Sequence, residues 1–119
     1  MGDLSKNFSR AEFQCRDGCG FATVDVELIP ILENVRMHFN SSIHITSGCR
    51  CKKYNTVIGG AKKSKHMEGR AADFQVKGVK PKQVQKYLKK KYKGKYGIGQ
   101  YDLFTHVDTR ANPVRWGKN

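Results

Sequence analysis

Apolar residues return at helical spacing between Asp25 and Phe39, where Leu28, Ile31, Leu32, Val35 and Phe39 share a face. A helix is expected there; Pro30 is compatible with it only near the first turn, and Asn40-Ser41-Ser42 ends it. A shorter helix is expected after Ser9, because Ser9-Arg10-Ala11-Glu12 has the form of a capping box, with Phe8 and Phe13 as apolar anchors. A third follows Pro81 and runs over 81–93, with Val84, Tyr87 and Leu88 inward, Lys82, Lys86, Lys89, Lys90 and Lys93 mostly outward, and Gly94 as its stop. Alternation marks residues 43–47 and 71–76 as strands, and 97–101 and 104–109 as two more around a turn near Asp102. Residues 14–24 are rich in turn formers. Residues 48–69 have little periodicity, many lysines and a Gly59-Gly60 pair, so a long ordered loop is expected, a feature usually tied to function. The tail with Pro113 and Trp116 is expected to pack back on the body. Helices first, then strands around a late helix, describe an α+β chain with an antiparallel sheet and flanking helices.

Composition narrows the classes. With 119 residues, one domain over 1–119 is expected, and no apolar run approaches the roughly 20 residues that span a bilayer, so an integral membrane protein is not expected. The opening Met1-Gly2-Asp3-Leu4-Ser5-Lys6 has neither the apolar stretch of a secretory signal nor a myristoylation pattern. The 23 Lys+Arg against 10 Asp+Glu give +13, and nine lysines fall between Lys77 and Lys95 with no acid between Asp73 and Asp102. Such an excess suits a polyanion, whether nucleic acid, anionic lipid or wall polymer, and also suits a merely solvated face. Nucleic acid is disfavoured, since no helix-turn-helix, zinc knuckle or aromatic-basic ladder accompanies the charge. The cysteines come as two close pairs, Cys15/Cys19 and Cys49/Cys51. The usual zinc knuckle is Cys-x-x-Cys, so a structural metal, a crosslink joining the pairs, and plain reduced thiols all remain open.

Two segments carry chemistry: Ser64-Lys65-His66-Met67-Glu68-Gly69-Arg70-Ala71-Ala72-Asp73, and His106-Val107-Asp108. His66 offers an imidazole from a loop, Asp73 a carboxylate from the strand that follows, and His106 a second imidazole from another strand. Two neutral imidazoles and one carboxylate suit zinc with a position left open, which would lower the pKa of a bound water toward about 7. In a regular strand, residues 102, 104, 106 and 108 share a face, so Asp102 and Asp108 would both lie beside His106. One could orient the imidazole while the other serves as general base. His38 and His44 have no partners in this pattern.

These segments, together with Ser47-Gly48-Cys49-Arg50-Cys51-Lys52-Lys53-Tyr54-Asn55 and Gly59-Gly60, resemble the D-alanyl-D-alanine carboxypeptidase family of zinc peptidases. That family includes phage endolysins of L-alanyl-D-glutamate and DD-peptidase type, and is related in fold to the hedgehog signalling domain. The resemblance runs from about Phe8 to Trp116. It implies His66, Asp73 and His106 as ligands of one catalytic Zn2+, and Arg50 as the partner of a substrate carboxylate, a task suited to its planar fork of donors. It also implies that Tyr54 and Asn55 hold the Arg50 loop and that Ser64 braces a ligand. Many members carry Glu-x-Trp-His, whose glutamate acts as general base; Leu103 occupies that slot here, and the shorter His-Val-Asp form is similar to a subgroup of murein endopeptidases and small phage lysins. The implied activity is hydrolysis of stem or crosslinking peptides of bacterial peptidoglycan by a phage endolysin. That enzyme would be a monomer, made in the host cytoplasm, released to the cell wall at lysis and held to anionic envelope polymers by the lysine-rich helix. The alternative is a non-catalytic zinc-containing binding module of hedgehog-like fold.

Overall fold

A computed structural model describes residues 2–117; Met1, Lys118 and Asn119, the ends of the expected 1–119 domain, lie outside the described residues. Among the described residues there are three α-helices: α1 (Leu28–Phe39), α2 (Lys52–Val57) and α3 (Pro81–Lys91). Five strands among the described residues join them: β1 (Ile43–Ser47), β2 (Ala71–Val76), β3 (Gly97–Gln100), β4 (Thr105–Asp108) and β5 (Val114–Gly117). Single 3-10 turns at Arg10–Phe13 and Lys65–Glu68 complete the set. The first is the helix expected after Ser9, cut to one turn, with the Glu12 carboxylate accepting the Ser9 N–H at 2.7 Å.

α1 begins later than its apolar period suggests. The Asp25 carbonyl accepts the Leu28 N–H at 3.0 Å, so residues 25–27 form a turn and Pro30 falls in the first helical turn, where no N–H is needed. Asn40 closes the helix in the left-handed conformation, φ 49°. The expected irregular loop over 48–69 is corrected: it holds α2 and the second 3-10 turn. α2 escapes the pattern because Asn55 is its one buried residue, and its start is fixed by the Cys51 sulfur accepting the Tyr54 N–H at 3.3 Å.

The strands form one sheet in the order β1-β2-β4-β3-β5. All pairs are antiparallel except β3 with β5, so the expected antiparallel sheet gains a parallel edge strand made from the tail. β5 lacks a buried alternation, which is why only a packed tail was legible there. One face of the sheet is apolar. Ile43, Ile45, Ala72, Phe74, Val76, Ile98 and Val107 meet Leu28, Leu32 and Val35 of α1 and Val84 and Leu88 of α3, closed off by Phe8 and Phe13. Each Val, Leu, Ile or Phe among them contributes about 1.5–3 kcal/mol when fully buried. Helices on this face leave the other free for polar groups. Lys82, Lys86 and Lys90 point outward as expected, whereas Lys89 turns in and donates to the Gln100 side chain at 2.8 Å.

Candidate metal centre

Strand register builds the site. Five positions line up across the sheet: Ser47 of β1, Asp73 of β2, His106 of β4, Gly99 of β3 and Trp116 of β5. Neighbouring strands lie about 4.8 Å apart, so Asp73 and His106, direct cross-strand partners, meet without help from any loop. Plain alternation would send Ser47 to the core face with Ile45. The bulge between Ile45 and Ser47 instead turns it toward Asp73.

His66 arrives from outside the sheet. Its one-turn helix is capped by Ser64, whose hydroxyl accepts the His66 N–H at 3.2 Å, and is closed by Gly69 in the left-handed conformation. The Arg50 N–H donates to the His66 carbonyl at 3.0 Å, tying this turn to the Arg50 loop. The two imidazoles and the carboxylate are all buried and offer three ligand atoms within 4.8 Å of one another.

Hydrogen bonds behind the imidazoles decide which nitrogens are free. His66 Nδ1 lies 2.6 Å from the Gly48 carbonyl, which can only accept, so Nδ1 carries a proton, and Nε2, 3.1 Å from Asp73 Oδ1, is the nitrogen whose lone pair would meet an ion. His106 Nε2 lies 2.7 Å from Asp108 Oδ2, which leaves Nδ1 facing Asp73 Oδ1 at 2.8 Å. Both rings therefore aim a ligand nitrogen at one carboxylate oxygen, with the opposite nitrogen anchored, as metal-binding histidines require. Burial alone would raise the Asp73 pKa, yet hydrogen bonds from His106 and His66, and their charges, hold it well below the carboxylate range. Burial works against a charged His106, but hydrogen bonds and charges from Asp108 and Asp73 raise its pKa. The pocket calls for positive charge, and a divalent cation answers that call with a donor set of two nitrogens and one oxygen.

Arg50 sits beside this centre. Its Nη2 pairs with the second oxygen of Asp73 at 3.3 Å, Nη1 donates to the Asn55 side chain at 3.3 Å and Nε to Ser47 Oγ at 3.2 Å. The Asn55 amide also donates to the Ala61 carbonyl at 2.8 Å, so this residue clamps the loop to Arg50. Gly60 is demanded by that contact, since a Cβ there would fall 2.1 Å from Asn55 Oδ1. Tyr54 contributes its N–H to the start of α2. His38 and His44 are exposed; His38 stacks on Tyr87.

The family model described as Peptidase M15 matches residues 6–108, a span containing Arg50, His66, Asp73 and His106. The chain belongs to the M15 peptidase family. Comparison with curated proteins finds no match.

Two placements in this M15 family member revise the expectations for the acids. Asp108 is fully buried and locked: besides His106 it takes Arg110 Nε at 2.8 Å, Arg110 Nη2 at 2.7 Å and the Arg110 N–H at 3.1 Å. Burial raises its pKa, but these bonds, His106 first, press it below the carboxylate range. Gly97 makes the room, as a Cβ there would lie 2.4 Å from Asp108 Oδ1. Asp102 is a correction. The strand is regular only over Thr105–Asp108, because the Gln75 and Gln85 amides hold the carbonyls of Leu103, Tyr101 and Phe104 in a bend. The parity argument fails there, leaving Asp102 exposed and outside the cleft.

That cleft encloses about 560 Å3 over His66, Asp73 and His106. Arg50, Lys63, Lys65 and Arg110 supply positive charge around it, Tyr101, Phe104 and Trp116 an aromatic wall, and Asp73 is its one acid among the described residues. Glu68 is drawn off by Lys65 at 3.2 Å and Arg70 at 3.8 Å. Trp116 packs its ring 4.9 Å from that of His106, receives the Arg110 guanidinium on its face at 5.1 Å and donates Nε1–H to the Tyr101 hydroxyl at 2.9 Å. Arg110 and Trp116 did not stand out in the sequence as site residues. The available signals were the Asp108-x-Arg110 spacing on the ligand strand and the Gly97-x-Gly99 pair that clears space for both.

Proposed function

We propose that this chain is a zinc metallopeptidase that cuts stem or crosslinking peptides of bacterial peptidoglycan, acting as a phage endolysin. One observation carries the reading: His66 Nε2 and His106 Nδ1 converge on a single oxygen of Asp73, each with its other nitrogen anchored. The cleft chemistry supports the substrate class. Four cationic side chains with an aromatic wall and, among the described residues, a single acid suit a short peptide bearing free carboxylates, which the stem peptides of peptidoglycan are.

His66, Asp73 and His106 would hold the ion; when bound, zinc supplies Lewis acidity that polarises a peptide carbonyl and acidifies water. The chain does the rest. Arg50 spends donors on Asp73, Asn55 and Ser47, which fix its guanidinium beside the metal centre, and its N–H groups left over would meet a substrate carboxylate in the cleft. Asp108 keeps the proton of His106 on Nε2, and Arg110 keeps Asp108 ionised. Ser64 and the Gly48 carbonyl set the position and tautomer of His66. Trp116, Tyr101 and Phe104 shield one side of the cleft from water and present a flat surface to the peptide. The exposed lysines of α3 would hold the enzyme to anionic envelope polymers. In this reading the protein is a monomer that acts at the cell wall after release from the host cytoplasm. Among the described residues no helix is long and apolar enough to cross a membrane.

A second reading, a metal-containing binding module without turnover, is favoured by one feature. Leu103, 75% exposed, stands where many relatives are expected to carry a glutamate, and the cleft has no acid besides Asp73 among the described residues. Digestion of purified muropeptides followed by mass spectrometry separates the two. New amino termini that disappear with His66→Ala support the peptidase and reveal the bond cut; intact muropeptides with bound protein support the module.

A further inference from the structure

A second cluster of ligating side chains joins the N-terminal turn to the loop that carries Arg50. Cys15, Asp17, Cys19 and Cys51 each offer one ligand atom, and these four atoms lie within 4.8 Å of one another. Ligands around a tetrahedral zinc at about 2.3 Å sit roughly 3.8 Å apart, so the cluster needs only a small contraction to close on an ion. We propose that Cys15, Asp17, Cys19 and Cys51 form a second, structural site for a thiophilic divalent cation of the zinc class, separate from the cleft.

The division of the cysteines argues for it. The two sequence pairs do not act as pairs: Cys49 is buried and turned away, its sulfur donating to the Thr23 carbonyl at 2.7 Å, while Asp17 takes the fourth corner. Asp17 is already bound into the group, accepting from the Cys51 sulfur at 3.0 Å and from the Cys19 N–H at 2.9 Å. A disulfide would use two sulfurs and leave a third thiol and a carboxylate at the same point without purpose. Two sulfurs also accept backbone N–H groups, Cys15 from Cys51 at 3.4 Å and Cys51 from Tyr54 at 3.3 Å. Such donors steady thiolates in metal sites. The Cys15 N–H donates to the Phe21 carbonyl at 2.8 Å, folding residues 15–21 into a tight loop around the site.

The site has a structural task. Three ligands come from the N-terminal turn and the fourth is the cap of α2, directly after Arg50, so an ion would pin two segments far apart in sequence. The same loop gives the Gly48 carbonyl that fixes the His66 tautomer and the Arg50 N–H bound to the His66 carbonyl. For a core this small, such a clip is a general means of adding stability.

The test uses the full chain purified in reductant and loaded with cobalt(II). Elemental analysis is expected to find two ions per chain, with a thiolate-to-cobalt charge-transfer band that the His66, Asp73 and His106 set cannot produce. Cys19→Ser, at an exposed position, should lose that band and one ion and keep the other; His66→Ala should keep the band. Cys49→Ser should keep the band and both ions, and Asp17→Asn, which retains all three thiolates, should keep the band with weaker binding. The proposal is overturned by absence of the band in the unsubstituted protein, by a band that depends on Cys49 and not Cys19, or by mass spectrometry of that reduced, metal-loaded preparation finding two of these cysteines disulfide-bonded.

Discussion

Replacing Asp108 by Asn tests how the second imidazole is held. Asp108 is 0% exposed and acts as acceptor for His106 Nε2 and for three groups of Arg110. An amide cannot satisfy them all. With its NH2 at the Oδ2 position it opposes His106 Nε2–H and Arg110 Nη2; at the Oδ1 position it opposes Arg110 Nε and N–H. Removing one partner of a fully buried ion pair costs about 3–5 kcal/mol. The Arg110 side chain is 26% exposed and can recover water, so a loss of about 2 kcal/mol in stability is expected. At the metal centre the carboxylate behind His106 becomes neutral or is replaced by a donor, and weakening of this kind lowers metal affinity about 10–100-fold. Competition against a chromophoric chelator measures the affinity, and urea denaturation of chelator-treated protein measures the stability. If Asp108→Asn binds zinc as tightly as the unsubstituted protein, Asp108 does not orient His106 and the account of that imidazole is wrong.

Gly60→Ala places a methyl group 2.1 Å from Asn55 Oδ1 and 3.0 Å from Arg50 Nη1; a rise in KM with metal content unchanged is expected in steady-state assays on muropeptides, and an unchanged KM would remove Arg50 from substrate binding. Trp116→Ala strips the aromatic wall and the cover over His106, so kcat/KM should fall while the metal affinity measured by the same chelator competition changes little. In chelator-treated protein, Asp73 and Asp108 have folded pKa values below their unfolded ones. Their stabilisation is present above about pH 4 and is lost as pH falls toward the folded values. His106 has the opposite sign: raised on folding, it stabilises fully below about pH 6.5 and ceases to as pH rises through its folded pKa. Urea midpoints should therefore peak between these limits, and an acid limb that Asp108→Asn fails to flatten would contradict the assignment. Reversing Lys82, Lys86 and Lys90 to Glu should weaken co-sedimentation with purified cell walls most at low salt; equal binding at all ionic strengths would exclude an electrostatic role for α3.

The parts legible in the sequence are those set by local rules. Ala71–Val76 reads as a strand because its apolar side chains alternate toward the core, and α3 because Val84, Tyr87 and Leu88 recur on one face. His66, Asp73 and His106 are legible as chemistry, but only the β2–β4 register shows why Asp73 and His106 must touch. What was hidden depends on pairing at long range. β5 is an edge strand, half-exposed and parallel to β3, so no alternation announces it. The roles of Arg110 and Trp116 exist only because Gly97 and Gly99 vacate the neighbouring strand. The Gln75 and Gln85 amides that bend residues 101–104 lie on distant elements, so Asp102 looked like a neighbour of His106 when it is not one. Spacing likewise grouped Cys49 with Cys51, whereas the fold replaces Cys49 with Asp17.

The central claim is that one ion sits among His66, Asp73 and His106. X-ray diffraction from zinc-loaded crystals, recorded on both sides of the zinc absorption edge, tests it most directly. The account predicts an anomalous peak in the cleft bonded to His66 Nε2, an oxygen of Asp73 and His106 Nδ1. Zinc-loaded crystals with no anomalous density among these three side chains would contradict it.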